Sequence, residues 1–428
     1  MLNKAARCSV AIGILLVIGG AGSAAAQTGQ IYGEITGKVA DAQGGVLPGV
    51  TVSLLGPAIM GAQTTTTTEG GIYRFHFIPS GTYTLRFELQ GFRVLVRDGL
   101  IVQARTTVTQ DVTMEVASLE ESVTVTGASP VVDVANTKIG QRLGDELLQS
   151  APTTRSLFGA VSLLPGVVMG QQDIGGTAAW GVPRVIAHGA TAYKVNLMGN
   201  HAEGPQQNGS YYYVDFNMME EVSVETAAMG AEVGPGGAQV NIIPKSGGND
   251  FKGSFYFSGT GKDLAATNVD DRLKAQGVSV GTLPKRMWDT NADGGGRIVR
   301  DRVWWYNSFR EYLYYDSIIG FPRDHFARLR NYTFRPSVQV TSTNKLSMLY
   351  AYRLKEEPLR DASFNVPPES THYQYSPSYF ENLNWMSVFG QRTFLEIASG
   401  MYTGFINRRN PPEWEALPFP VSPSTDIV

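Results

Sequence analysis

The stretch FKGSFYFS, residues 251–258, alternates two kinds of side chain along its whole length. One face carries Phe251, Gly253, Phe255 and Phe257, and the other carries Lys252, Ser254, Tyr256 and Ser258. A period of two predicts a β-strand, because successive side chains of a strand point to opposite faces. Strands with one apolar and one polar face are typical of a barrel that turns its apolar face to lipid. A soluble sandwich with one wet face shows the same alternation and remains the alternative.

The alternation returns downstream and predicts further strands of the same barrel. It appears in YTFRPSVQV, residues 332–340, and in KLSMLYAYRLK, residues 345–355. We expect about six strands, beginning near Phe251, Val303, Leu329, Lys345, Tyr379 and Phe394. Aromatic side chains suited to the membrane interfaces are Trp304, Trp305, Tyr312, Tyr314 and Tyr315.

Residues 27–116 have a different sequence pattern, in which Gly, Pro and Asp separate short runs of β-forming residues. In TYTLRFELQGF, residues 82–92, apolar and polar side chains alternate, which predicts an antiparallel β-sandwich. TGKVADAQGGVLPGVTVSL, residues 36–54, together with YRFHFIPSGTYTLRFELQGF, residues 73–92, resembles the carboxypeptidase regulatory-like domain. The resemblance implies a transthyretin-like sandwich, also classed as a carbohydrate-binding-like fold, that is an accessory module and not a catalyst.

The amino terminus has the three parts of a secretory signal peptide. Lys4 and Arg7 precede the apolar run SVAIGILLVIGGAG, and small residues including Ala24 and Ala26 follow it as a cleavage site. The run is shorter than the roughly 20 residues of a spanning helix, which disfavours a permanent membrane anchor. We therefore expect export and removal of residues 1–26.

Charge, cysteine and histidine content restrict the chemistry. The chain has 35 Lys and Arg against 38 Asp and Glu, so its net charge of -3 gives no reason to expect nucleic acid. Its one cysteine, Cys8, lies in the expected leader, so the mature chain must be held by hydrogen-bonded sheets and core burial. None of its five histidines begins H-x-x-E or H-E-x-x-H, the spacings of zinc peptidases. We expect no catalytic residue, no metal and no cofactor.

Two short motifs suggest other chemistry, but the residues around them do not match what that chemistry requires. GVSVG, residues 277–281, fits G-x-S-x-G with Ser279 as an esterase nucleophile, but Pro284 follows where a helix should begin. DTNADG, residues 289–294, begins like a calcium loop, but Arg300 occupies the twelfth position, where a glutamate is required. We interpret the second motif as an incidental surface loop.

Residues 117–250 mix helical and strand patterns. LLQSAPTTRSLFGAVSLLPGV, residues 147–167, predicts two short amphipathic helices, and EEVSVETAAMGAEVGPGGAQVNIIPKSGGND, residues 220–250, predicts strands around a glycine-rich turn. This order, behind an accessory sandwich, resembles the plug of TonB-dependent outer-membrane receptors of the Oar-like branch. GGGRIVRDRVWWYNSFREYLYY, residues 294–315, resembles an early barrel hairpin of that branch. The family's plug turn often carries an arginine beside its glycines, whereas residues 228–237 have none, which leaves the plug–barrel contact open.

Aromatic side chains in this segment have two interpretations. Trp180, Tyr211, Tyr212 and Tyr213 could stack on a sugar or another planar ligand, or they could pack within the plug. Clusters of aromatic residues in loops more commonly pack against their own fold, so we favour packing.

The stretch SLEESVTVTG, residues 118–127, stands between the sandwich and the plug and predicts one short strand. Alone, it fits equally well as the last strand of the preceding domain. Within the resemblance it matches the box that pairs with the TonB protein as an added strand, and the matching residues are Glu121, Ser122, Val123, Thr124, Val125 and Thr126. An unpaired strand edge suits that role, because it offers main-chain hydrogen bonds without a folded pocket.

The resemblance implies a mainly β protein with an amino-terminal sandwich, an α+β plug and the first strands of an incomplete transmembrane β-barrel. The expected boundaries are 1–26 for the signal peptide, 27–116 for the sandwich, 117–250 for box and plug, and 251–428 for the barrel. The implied partners are the TonB-ExbB-ExbD complex, outer-membrane lipid and an unidentified extracellular ligand, carbohydrate or peptide. The implied role is energised uptake or export across the outer membrane, with the sandwich in the periplasm. A secreted or cell-surface binding or adhesion protein built from β-sandwiches is the alternative.

Overall fold

The computed structural model describes residues 32–409 with several internal gaps. The gaps are 57–58, 60–61, 105, 117–122, 127–138, 171–182, 192, 203–212, 228–236, 267–268, 278–282, 319, 364 and 390–392. The expected leader, residues 1–26, and the esterase candidate Ser279 both lie outside the described residues. No helix in the described part of the chain is long and apolar enough to cross a membrane.

Two β-sheets that share one core form the amino-terminal sandwich. The first contains β1 (Tyr32–Asp41), β4 (Ile72–Pro79), β7 (Thr107–Thr109) and β8 (Val112–Met114). The second contains, in spatial order, β3 (Gln63–Thr66), β2 (Thr51–Leu55), β5 (Gly81–Glu88), β6 (Leu95–Val102) and β9 (Val123–Thr126). Tyr83, Leu85 and Phe87 of β5 are all buried in the core between the sheets. This confirms the alternation expected for residues 82–92.

A five-stranded sheet with two short helices follows. In spatial order its strands are β10 (Ile139–Gly144), β15 (Met219–Ala227), β16 (Ala238–Pro244), β13 (Tyr193–Leu197) and β14 (Asn200–His201). A separate pair, β11 (Val167–Met169) and β12 (Val185–Ala187), and helices α1 (Asp145–Ser150) and α2 (Leu157–Val161) complete the unit. Ser156 caps α2, because its Oγ accepts a hydrogen bond from the Gly159 amide at 2.9 Å. The helices and strands expected for this part of the chain are confirmed.

Long antiparallel strands make up the rest of the described chain, and each of the first six pairs with the next. They are β17 (Lys252–Gly261), β18 (Leu283–Val299), β19 (Val303–Ser317), β20 (Asp324–Thr341), β21 (Asn344–Arg360), β22 (His372–Phe389), β23 (Thr393–Gly404) and the short β24 (Asn407–Arg409), which pairs with β22. Helix α3 (Asp271–Ala275) and the 3₁₀ turns Lys262–Leu264 and Pro368–Ser370 lie between strands. Phe255 on the outer face is 71% exposed, whereas Arg353 on the inner face is fully buried. The apolar-out, polar-in pattern is confirmed.

The segment 289–294 was expected to be a surface loop, and that expectation is wrong. It lies in the middle of β18, paired with β17 on one side and β19 on the other. Its Asp, Asn and Gly residues have low β-propensity, so the strand depends on its two neighbours rather than on local preference. Asp289 is buried and bonded to an arginine, so it is not a free ligand for calcium.

The aromatic residues of β19 are divided between its two faces. Trp304, Tyr312 and Tyr314 are buried on the inner face, so their assignment to a membrane interface is wrong. Trp305 and Tyr315 have the opposite parity and lie on the outer face with Phe309, which is 45% exposed. The prediction of a strand is confirmed for this segment. The many aromatic residues in it did not show which of them face inward and which face outward.

Candidate functional site

The box residues that the structure describes form β9, the last strand of the second sandwich sheet. Val123 to Thr126 pair in parallel with β6, in a register that places Val123 opposite Leu95 and Thr126 opposite Asp98. Glu121 and Ser122 lie outside the described residues. The box is therefore an extended edge strand on the sandwich, and its pairing partner is a strand that precedes it in the chain.

The sandwich contacts the plug sheet through a buried carboxylate. Glu221 of β15 is 2% exposed. Its Oε2 accepts hydrogen bonds from Ser80 Oγ at 3.0 Å and from the Ala104 amide at 3.3 Å. Burial raises the pKa of Glu221, because loss of solvent outweighs the lowering effects of these two donors and of Arg142. The contact therefore joins the turn after β4 to the plug through a group that responds to pH.

The Ser80 turn is itself held by the sandwich core. The Tyr83 hydroxyl donates to the Pro79 carbonyl at 2.8 Å, and the Tyr83 ring is buried. Burial raises the pKa of Tyr83, so its hydroxyl stays a proton donor in this bond. The position of Ser80 relative to the plug is thus determined by the core of the sandwich.

The plug is attached to the barrel wall by arginines that come from the wall. Arg310 of β19 is 2% exposed and forms a two-pronged pair with Asp289 of β18 at 2.8 and 2.7 Å. It also donates to the main-chain oxygens of Arg155 at 3.0 Å and Val214 at 3.4 Å, both in the plug. A buried guanidinium with these four acceptors links two wall strands to two plug segments.

Two more wall arginines point into the plug in the same way. Arg335 of β20 donates to the carbonyls of Pro244 and Lys245. Arg353 of β21 donates to the Tyr332 and Tyr352 carbonyls at 3.0 and 2.8 Å, and its Nη2 lies 3.2 Å from the sulfur of Met218 in the plug. These side chains connect the wall to the plug, whereas residues 228–236 of the plug turn lie outside the described residues.

One plug arginine reaches in the opposite direction. The Arg155 guanidinium lies 4.0 Å from the ring centroid of Tyr256 on β17 and 4.9 Å from that of Phe216 in the plug. It also donates to Gln149 at 2.9 Å and to Asn217. Burial lowers the pKa of Arg155, although the group stays protonated at physiological pH.

A cavity of about 490 Å³ lies where the sandwich, plug and wall meet. Its lining includes the Ser80 turn, residues 243–248 of the plug, and Asp293, Arg335 and Lys345 of the wall. The lining carries side chains of both charge signs, and the cavity lies between the three units.

Two sequence hypotheses about ligands can be compared with the described residues. Tyr213 packs against Tyr312 and Tyr314 of the wall, which confirms packing for this residue, whereas Trp180, Tyr211 and Tyr212 lie outside the description. In the described ranges, no group of three His, Cys, Asp or Glu side chains is arranged to hold a metal ion. The wall arginines were missed, although their place on the inner face of alternating strands was a readable signal.

Parts of the chain are similar to a known domain family and to known proteins. The carboxypeptidase regulatory-like domain family matches residues 34–115. The TonB-dependent transporter Oar of Myxococcus xanthus is 28% identical over 290 residues, which covers 64% of this chain and 26% of that protein. The outer membrane transporter YddB of Escherichia coli matches in structure with a TM-score of 0.50 and 11% identity, over 63% of this chain and 39% of that one. The ferripyoverdine receptor of Pseudomonas aeruginosa matches with a TM-score of 0.46 and 12% identity, over 63% and 35%.

The relatives are receptors and transporters of the outer membrane and not enzymes. The chain spans about a quarter of the length of the curated relative it matches. It is a mainly β chain with a carboxypeptidase regulatory-like domain, similar to TonB-dependent outer-membrane receptors of the Oar type.

Proposed function

From this relationship to TonB-dependent outer-membrane receptors, we propose that the chain carries the sandwich, box, plug and first wall strands of an energised transporter. The observation that carries the proposal is the buried arginine contact between plug and wall, together with an extended box on the sandwich. We further propose the boundaries 27–116, 117–250 and 251–428 for the three units, and no catalytic chemistry.

The proposed mechanism uses non-covalent steps only. A ligand, carbohydrate or peptide, is captured on the extracellular face and changes the plug, which makes the box available. TonB, with ExbB and ExbD, adds a strand to the box, and force applied through the box then moves the plug. Strand addition suits this purpose, because the bond between partners consists of main-chain hydrogen bonds that many sequences can form.

The force has a defined route through the chain. It enters at β9, and the next element along the described part of the chain is β10, which pairs with β15 of the plug sheet. β15 carries Glu221, so tension on β10 acts directly beside the contact between sandwich and plug.

The test removes one main-chain hydrogen-bond donor from the box. Val123→Pro removes an amide N–H and restricts φ, so we expect at least a tenfold loss of affinity for the purified periplasmic domain of TonB. Thr124→Ser keeps every main-chain group and serves as the matched control, with affinity unchanged within about twofold. Both variants are measured in the intact, purified receptor.

Site-specific crosslinking in cells provides a second readout. A photoreactive residue at position 125 should capture TonB in the parent protein and in Thr124→Ser, but not in Val123→Pro. Equal binding and equal capture for the proline variant would reject the box assignment, and the segment would then be only the closing strand of the sandwich.

A further inference from the structure

The outer edge of β9 offers a main-chain surface that no other strand in the described part of the chain occupies. We propose that the sandwich sheet presents the box as its outermost strand, and that the TonB strand adds to this open edge as the next strand of the same sheet. The box then stays on β6 while TonB binds. This proposal rests on the proposed function and assigns the sandwich the role of a docking platform.

The first observation is the position of β9 in its sheet. The spatial order is β3-β2-β5-β6-β9, so β9 uses one edge for β6 and is the terminal strand on the other side among the strands that the structure describes. A β-strand has hydrogen-bonding groups on both edges, and pairing on one side leaves alternate N–H and C=O groups free on the other. An incoming strand can therefore pair with the box without competing for the groups that β6 already uses.

The second observation is the match in length between the box strand and the available part of β6. The parallel register runs from Leu95 opposite Val123 to Asp98 opposite Thr126. The next residue of β6, Gly99, has φ of 77°, a conformation outside the extended region. The regular edge of β6 thus ends where β9 ends, and the platform holds a box of this length.

Preorganisation favours addition over exchange. A box that had to leave β6 would lose its present main-chain bonds and would then have to be fixed again on TonB. A box that is already extended has given up most of its backbone freedom, so binding an added strand costs less entropy. Addition of the TonB strand to the open edge of β9 is therefore favoured over transfer of β9 from β6 to TonB.

A reversible disulfide between β6 and β9 tests the proposal. Val96 lies directly opposite Thr124. Directly opposite residues on neighbouring strands are close enough for a disulfide bond. The double variant Val96→Cys/Thr124→Cys adds two thiols to a sequence of 428 residues whose one cysteine is Cys8, in the expected leader. The pair Val96→Cys/Thr126→Cys, two residues out of register, is the matched control and should stay reduced.

The readout is affinity for the purified periplasmic domain of TonB, measured on intact receptor in vesicles before and after reduction. We expect the oxidised form to bind at least as tightly as the reduced form and up to about tenfold more tightly. A tenfold or greater loss of affinity on oxidation, restored by reduction, would overturn the platform and show that the box must leave β6. Failure of the in-register pair to oxidise would overturn it as well.

These outcomes are distinct from a failure of the proposed function. If the platform is wrong but the function is right, the parent protein and the reduced double variant still bind TonB. If the function is wrong, neither of them binds, and Val123→Pro has no effect either. The parent protein is therefore measured first.

Discussion

Removal of the Arg310 side chain should loosen the plug by an amount that can be worked out from its contacts. Arg310→Ala deletes the bond to the Arg155 carbonyl at 3.0 Å, and the bond to Val214, at 3.4 Å, is too long to add much. One hydrogen bond from a charged donor contributes about 1.5–3 kcal/mol. With about 2 kcal/mol lost from plug docking, local opening becomes roughly thirtyfold more frequent, at 1.36 kcal/mol per tenfold.

Hydrogen exchange of the intact receptor measures this opening. The amides of β15, which follow the Val214 segment in the chain, should exchange about thirtyfold faster in Arg310→Ala. The barrel wall is destabilised separately, because Asp289 is left buried without its partner. Breaking a buried ion pair costs about 3–5 kcal/mol of stability. That second cost should appear in the amides of β18 and β19, and not in the plug.

Asp289→Asn is the control that separates the two effects. It breaks the ion pair inside the wall but leaves the Arg310 donors to the plug in place, and Asp215 remains as a second carboxylate near Arg310. We expect exchange in β15 to change by less than about threefold. Unchanged exchange of β15 in Arg310→Ala, or equal acceleration in both variants, would refute the assignment of Arg310 as a plug anchor.

Three further predictions concern the amino-terminal half. Mass spectrometry of the exported protein should find a mature terminus just after Ala26, and an uncleaved terminus would contradict the leader. Residues 27–116 expressed alone should melt cooperatively, and Leu85→Ala, which empties a fully buried core position, should lower the unfolding free energy by about 3 kcal/mol in a denaturant titration. The pKa of Glu221 is raised in the docked form, so the docked form keeps a proton on this carboxyl group at pH values where the undocked form has lost it. Docking of the sandwich on the plug should therefore weaken as pH rises above the ordinary pKa of a Glu carboxyl group. Glu221→Gln should abolish that pH dependence in exchange measurements of Ala104, and a parent protein whose Ala104 protection does not change with pH would contradict it.

Much of the fold could be predicted from the sequence, because the signals are local. The alternation in residues 82–92 and 251–258 follows from the pleat of a strand, whose side chains change face at every residue. The same geometry determines that Phe255 faces outward and Ser254 inward once a strand is assumed. Short-range order of this kind needs no knowledge of neighbouring strands.

The strand β18 shows where local signals end. Its central residues Asp289 to Gly294 have turn-forming character, yet they pair along their whole length with β17 and β19. Pairing with two neighbours satisfies main-chain groups that local propensity cannot account for. For the same reason the buried aromatic residues of β19 could be assigned to a strand but not to a face.

The box and the plug anchors were decided by tertiary structure. The sequence by itself determined that Val123 to Thr126 is extended, but only folding brought it beside β6 and left its other edge open. Likewise, Arg310 meets the carbonyl of Arg155, and Ser80 meets Glu221, across separations of 155 and 141 residues. Such contacts depend on how whole sheets pack, because the energy that places them comes from burial of the surrounding core and not from the residues that touch.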